Sequence, residues 1–402
     1  MKTVGIVCEY NPFHNGHKHQ IDTLRKEGAQ TVICAMSGNF TQRGEIAIAD
    51  KYARAEMAIR CGADVVVELP FPFSSFSAEG FASAGVHILS SLGIDTLSFG
   101  SECGDTDLLR KAAETVMSEE FISAYRESNT GSAKSYFDIL SRFLGDETKL
   151  LSNDILGISY ICSIKKQKRD VDVFPVKRVG SQYNDTSLEK GTLPSATAIR
   201  EAIKGDFNDL SALLGEHMPN DAISVLEKAK NHGFAPVFTD NAGREILSFF
   251  KLSSPEEICA RAVFKSGGGR GVADDGCGIV ERLCASAKNS SSYEEFIKKA
   301  YNSRYTDARV NRVILFSLFG VSDIFAKALP KSTFLLAANQ KGREYLSHIR
   351  KNEVFPIITK PADAQNDDTL TDISRLADEF YASAMPKPQS DGFFVKKHPI
   401  IL

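Results

Sequence analysis

None of the eight cysteines forms a C-x-x-C pair, and Cys277 and Cys284 have no histidine nearby in sequence. A zinc site or a disulfide framework is therefore not expected, and the thiols read as reduced and mostly buried. No apolar run is long enough to span a bilayer. Met1-Lys2-Thr3 leads straight into an apolar strand with no signal-like segment before it. The expectation is a cytoplasmic protein, neither exported nor held in a membrane. Neither sign of charge dominates: 48 Lys and Arg stand against 51 Asp and Glu, for a net charge of −3. No global basic field points to DNA or RNA, so any nucleic-acid contact needs a local patch. No internal repeat is present. What remains is ordinary globular composition, 43% hydrophobic and 25% charged over 402 residues, enough chain for two domains.

The most informative stretch is at the amino terminus. Val4, Ile6 and Val7 form a short apolar run suited to a buried parallel strand. Asn11-Pro12 breaks it, because a residue before proline is pushed out of helical geometry. A helix is expected from His17 through Glu27, ended by Gly28. His14 and His17 thus sit at a strand-to-helix turn, where open α/β sheets bind phosphates at free N–H groups and a helix dipole. Gly16 lets a ligand approach the main chain. The pattern His-x-Gly-His resembles the hallmark of HIGH-type nucleotidyltransferases. Such enzymes let an oxyanion attack the α-phosphate of ATP, so fixed donors are needed where charge builds. Imidazoles can donate hydrogen bonds, and carry charge if protonated. His14, His17 and Lys18 are the candidate catalytic residues.

Further along, Thr31 to Met36, Asp64 to Leu69, Ile94 to Phe99 and Val171 to Val176 read as strands. Helical stretches fall between them, including Asp50 to Cys61, Ser77 to Ser91 and several over residues 105–147. This alternation predicts an α/β doubly wound parallel sheet, Rossmann-like, over residues 1–205. A mostly helical C-terminal domain is expected over 206–402. On the helix from Asp50, Lys51, Arg54 and Arg60 are expected off the apolar face. The polar loop Ser37 to Glu45 lies at a strand's C-terminal end, the ligand-binding edge. Lys165 to Arg169 reads first as a solvated helix end, with contact to a phosphate backbone as the alternative. Ser195-Ala196-Thr197-Ala198-Ile199-Arg200 resembles the phosphate-facing helix start of small nucleotidyltransferases, with Ala196 lacking the hydroxyl of that pattern.

Taken together, Glu9 to His17, Met36 to Glu45, Glu68-Leu69-Pro70, Phe99 to Glu102, Ser152 to Gly157 and Arg178 with Tyr183-Asn184-Asp185 resemble the bacterial tRNA(Met) cytidine acetate ligases. The resemblance implies an enzyme that uses ATP and acetate to form acetyl-adenylate. It would then acetylate N4 of the wobble cytidine of elongator tRNA(Met). It also implies an ATP site made by Val7, Cys8, Glu9, Tyr10, Asn11, Pro12 and Phe13, continuing through His14, Asn15, Gly16, His17, Lys18, His19 and Gln20. Gly100, Asn153 and Arg178 complete it. Mg2+ is expected with ATP, although no carboxylate pair marks a metal site. No cysteine nucleophile is required, so Cys8 is expected to be structural. Two other readings stay open: a small-molecule adenylyltransferase of cofactor synthesis, and a non-catalytic tRNA-binding protein.

The C-terminal half carries weaker signals. The glycine run 266–271 lacks the Lys-Ser/Thr ending of a P-loop and reads as a loop. Arg304, Tyr305, Arg309 and Arg312 precede an apolar helix. They could hold RNA phosphates and stack a base, or simply open a core helix. Gly392 to Val395 reads as a terminal strand.

Overall fold

The computed structural model describes residues 2–128, 133–145, 150–178, 195–205, 207–262, 277–302, 305–322, 325, 328–350, 355–364 and 369–402. The segment 183–185, the glycine run 266–271 and Arg304 lie outside the described residues. Five parallel strands form the centre: β1 (Thr3–Cys8), β2 (Thr31–Ser37), β3 (Val65–Leu69), β4 (Thr96–Ser101) and β5 (Asp172–Lys177). Their order in space is β5-β4-β1-β2-β3. Every residue of β2 and β3 is buried, the pattern of strands covered on both faces.

Helix α1 (Asn15–Lys26) links β1 to β2, and α2 (Lys51–Arg60) links β2 to β3. Helix α3 (Ala78–Ser91) then carries the chain back across β1 to β4. The order therefore reverses beside β1, the point in such sheets where a crevice opens outside the carboxyl ends of the strands. Three helices follow, α4 (Thr106–Met117), α5 (Glu119–Glu127) and α6 (Ala133–Leu144), before α7 (Ser152–Lys166) packs on α3 and leads into β5. The small face of α3 allows close approach to the sheet. A Cβ built on Gly85 would lie 2.6 Å from Val7 Cγ2. Gly85→Ala should therefore overpack the contact beneath the β1 end and cost about 1–3 kcal/mol, read as a lower urea midpoint.

The remaining chain is mostly helical, as expected. Helices α8 (Ala196–Gly205), α9 (Leu210–Leu214), α10 (Asn220–Asn231), α11 (Gly243–Leu252), α12 (Pro255–Arg261), α13 (Cys277–Lys288), α14 (Tyr293–Ala300) and α15 (Asp307–Phe319) run in succession. The chain then returns to the sheet. Strand β6 (Thr333–Ala338) pairs antiparallel with β3. After α16 (Gln340–Arg350), β7 (Ile357–Ile358) and, after α17 (Thr369–Ser383), β8 (Ile400–Ile401) pair with β6. Residues 206–402 thus supply three strands as well as helices. The strand expected at Gly392 to Val395 is a turn, and the terminal strand lies further on. Among the described residues no helix is long and apolar enough to cross a membrane.

Candidate active site

A cleft of about 260 Å3 opens at the carboxyl ends of the parallel strands. Its floor is the turn after β1. Tyr10 there has φ 46, in the left-handed region that a non-glycine residue adopts only when its surroundings hold it. The ring is 1% exposed, packs edge-on to Phe13, and its hydroxyl lies 3.5 Å from Cys34 Sγ. Asn11 Oδ1 accepts from the Ile48 N–H at 2.8 Å, fixing the turn to the next loop.

The two histidines form a reciprocal cap on α1. His14 Nδ1 accepts from the Gly16 N–H at 3.0 Å, and His17 Nδ1 accepts from the His14 N–H at 3.2 Å. An imidazole nitrogen that accepts carries no proton, so in each neutral ring the proton sits on Nε2. The rings stack, with centroids 3.7 Å apart. Gly16 is required beneath them, since a Cβ there would lie 2.8 Å from His14 Cε1. Burial, with Arg178 and Arg200 adding to it, lowers His14 to about 3. Burial, His14 and Arg178 hold His17 well below the usual imidazole range. Both rings are therefore neutral Nε2–H donors, and positive charge comes from the arginines instead.

This has a consequence for stability. Above pH 6.5 His14 is neutral whether folded or unfolded. Between pH 6.5 and about 3 only the unfolded chain takes up the proton, so stability falls as pH falls through that window. His14 alone should cost about 2 kcal/mol between pH 7 and pH 5. Urea unfolding at the two pH values, with His14→Asn as reference, should show a smaller acid loss in the variant.

Flanking walls come from the neighbouring strand ends. On the β4–β5 side, Gly100, Asn153 and Arg178 line the cleft together with Phe99 and Tyr160. The Asn153 amide donates to the Glu102 carboxylate. Buried Asp154 organises this wall, accepting from Ser101 Oγ at 2.6 Å and from the N–H groups of Glu102, Cys103 and Leu151. On the β2 side stand Glu9, Gln42 and Arg43. Arg200 lines the cleft near the turn and donates from Nη1 to the Asn11 carbonyl at 2.9 Å. Arg54, fully buried, donates to the carbonyls of Ala49, Glu9, Ser37 and Gly38 and so ties the ends of β1 and β2 together.

Of the expected ATP-site residues, Val7, Cys8, Glu9, Tyr10, Asn11, His14, Gly16, His17, His19, Gln20, Gly100, Asn153 and Arg178 line the cleft. Pro12, Phe13, Asn15 and Lys18 do not. Phe13 is core, and Asn15 donates to the Glu216 carbonyl at 2.9 Å. Lys18 pairs with Asp22 one turn along α1. Burial raises the Cys8 thiol well above its ordinary value, which keeps it protonated and unsuited to attack. Lys177 and Arg200, outside the expected ATP-site set, also line the cleft. For Arg200 the helix-start motif was the available signal.

The RNA candidates divide. Tyr305 is 8% exposed, and the Arg309 guanidinium lies 5.1 Å from its ring centre. Arg312 is 9% exposed and donates to the Gln42 carbonyl at 3.4 Å. As placed, Tyr305 and Arg312 pack inward, and Arg309 is half-buried. Among the described residues no group of three or more His, Cys, Asp or Glu could hold a metal ion.

Paired imidazole donors at the switch point of a parallel sheet are the arrangement of a nucleotidyl transferase. The family model described as HIGH Nucleotidyl Transferase matches residues 1–393. Curated relatives named tRNA(Met) cytidine acetate ligase include one from Acetivibrio thermocellus, 33% identical over 384 residues covering 90% of this chain and 89% of the relative. Another, from Thermosipho africanus, is 36% identical over 380 residues, covering 90% and 85%. A crystal structure of apo Thermotoga maritima TmcAL matches with a TM-score of 0.87 at 32% identity, covering 100% of both chains. A second, bound with alpha-thio ATP, gives 0.85 at 30%, again over 100% of both. The chain belongs to the tRNA(Met) cytidine acetate ligase family.

Proposed function

We propose that this protein is an ATP-dependent, tRNA-modifying ligase. It activates acetate as acetyl-adenylate, releasing pyrophosphate, and acetylates N4 of the wobble cytidine of elongator tRNA(Met) to give N4-acetylcytidine and AMP. The observation that carries the reading is the pair of Nε2–H donors on His14 and His17, flanked by Arg178 and Arg200 and matched in fold to a relative that binds an ATP analogue. Acetate is a weak anionic nucleophile, and the triphosphate repels it. A site that neutralises the phosphates and aligns the carboxylate removes most of that barrier.

In this reading the α-phosphate sits over the histidine turn. Adenosine lies on the Gly100, Asn153 and Arg178 side, with the Asn153 carbonyl oxygen free to accept from the base because its amide is held by Glu102. Mg2+ enters on the triphosphate, since Glu9 is the one acid among the described lining residues. Residues 1–205 carry the chemistry, and 206–402, with Arg309 at its half-exposed surface, presents the tRNA. Labelled acetate incubated with ATP, the protein and tRNA(Met) should appear in the tRNA as N4-acetylcytidine, with equimolar AMP and pyrophosphate. Label that stays out of tRNA, or enters it without ATP, would refute the reading.

A further inference from the structure

We propose that the Glu9 carboxylate is the proton acceptor for the cytidine amine in the acetyl-transfer step, an inference that rests on the function proposed above. A carboxylate is a poor neighbour for a triphosphate. Its presence in an ATP cleft requires a partner that donates a proton or carries positive charge. Topology says which partner is in reach. The strand order places the β4 and β5 ends on one side of the β1 turn and the β2 loop on the other. The Glu9 carboxyl reaches the β2 loop, where it meets the Gln42 N–H, and Gln42 and Arg43 line the cleft with it. That side is left for the acyl group and the incoming base.

The carboxyl is held, but only by one oxygen. Glu9 Oε1 accepts from the Gln42 N–H at 2.7 Å, and the Glu9 main chain is fixed by Arg54 Nη1 at 2.6 Å. Among the described residues the carboxyl accepts its hydrogen bond at Oε1, and Glu9 lines the cleft. The Gln42 carbonyl in turn accepts from Arg312 on α15, so the loop that orients Glu9 rests on the C-terminal half. Burial raises the Glu9 carboxyl above its ordinary value, against the Gln42 N–H and Arg200, with Glu45 adding to the rise and Arg43 opposing it. An acceptor tuned upward is a better base.

The step balances. The N4 lone pair attacks the acetyl carbon, forming the C–N bond. The bond from that carbon to the AMP phosphate oxygen breaks, and AMP leaves with the electron pair. The surplus proton on N4 passes to Glu9 Oε2 and then to water.

The test uses the whole protein and separates the half-reactions. In Glu9→Gln the acceptor for the Gln42 N–H is kept, while the base is lost. Acetyl transfer to tRNA(Met) should fall by about 10²-fold or more, and by at least about tenfold more than acetate-dependent ATP–pyrophosphate exchange does. Wild-type transfer should also lose rate toward acid pH with a group titrating above the usual carboxylate range, and the Gln variant should lose that limb. Glu9→Asp should recover part of the rate. Unimpaired transfer in Glu9→Gln overturns the proposal. Equal loss of exchange and transfer also overturns it, assigning Glu9 to ATP or its metal. Absence of transfer by the wild type would instead sink the function proposed above.

Discussion

Replacing His17 by alanine is expected to lower acetate-dependent ATP–pyrophosphate exchange by about 10²–10³-fold, the usual cost of removing one preorganised donor from a developing anion. The donor is preorganised because its other nitrogen is already committed to the His14 N–H. ATP affinity should change far less, since in the proposed site Arg178, Arg200 and the main chain also hold the nucleotide. His14 separates two roles that a single alanine would merge. His14→Ala removes both the donor and the cap on Gly16, and should destabilise α1 by about 1 kcal/mol besides slowing exchange. His14→Asn keeps a good cap and loses the Nε2 donor. Near-native urea stability with slow exchange in the Asn variant would assign the rate loss to chemistry.

The largest stability effect should come from Lys51. Lys51 is 3% exposed, and its ammonium meets Glu68 Oε1 and Oε2 at 2.9 and 2.8 Å and Asp378 Oδ2 at 2.6 Å. Burial raises both carboxyls, and Lys51 draws them back. Burial alone would lower the Lys51 ammonium, but Asp378 and Glu68 hold it above the ordinary lysine value. Removing one charge leaves the others buried and uncompensated. Lys51→Met should therefore cost about 3–5 kcal/mol in urea unfolding. Neutralising the carboxylates as well, with Glu68→Gln and Asp378→Asn, should return much of the loss, because burying a charge is what costs. The cluster also reaches the active site. Asn39 donates to Asp378 Oδ1 at 2.8 Å and accepts from the Lys51 N–H at 2.9 Å. Through Asn39, α17 steadies the loop that carries Gln42 and Arg43.

That cluster shows where sequence reading stopped. On the helix from Asp50, Lys51 and Arg54 were expected off the apolar face, yet both are buried. Lys51 is satisfied by an acid 327 positions away, and Arg54 by four main-chain carbonyls, three of them from other segments. No local pattern reports such partners. Strand β6 was missed for a related reason. Thr-Phe-Leu-Leu-Ala-Ala is apolar without alternation, so its period does not separate a buried strand from a buried helix. Arg312 and Tyr305 read either as RNA contacts or as the opening of a core helix, and Gly44 at φ +76 lets the 41–45 loop pack onto the Arg312 backbone. The amino-terminal turn was legible because all its determinants are local: an apolar strand, Asn-Pro, a glycine under an imidazole, and a helix. The sequence could not show the protonation of that turn. Imidazoles open to charge in isolation are held neutral here by burial and by Arg178, just past β5, and Arg200 of α8.

In the proposed reaction those two rings act as neutral Nε2–H donors to ATP. Long-range 1H–15N correlation spectra of the histidine side chains, recorded at pH 7 with and without a non-hydrolysable ATP analogue, test this directly. The prediction is that His14 and His17 both appear as neutral Nε2–H tautomers in the free protein, and that both Nε2 resonances shift when the analogue binds. Rings protonated at both nitrogens in the free protein, or Nε2 resonances that ignore a bound analogue, would contradict it.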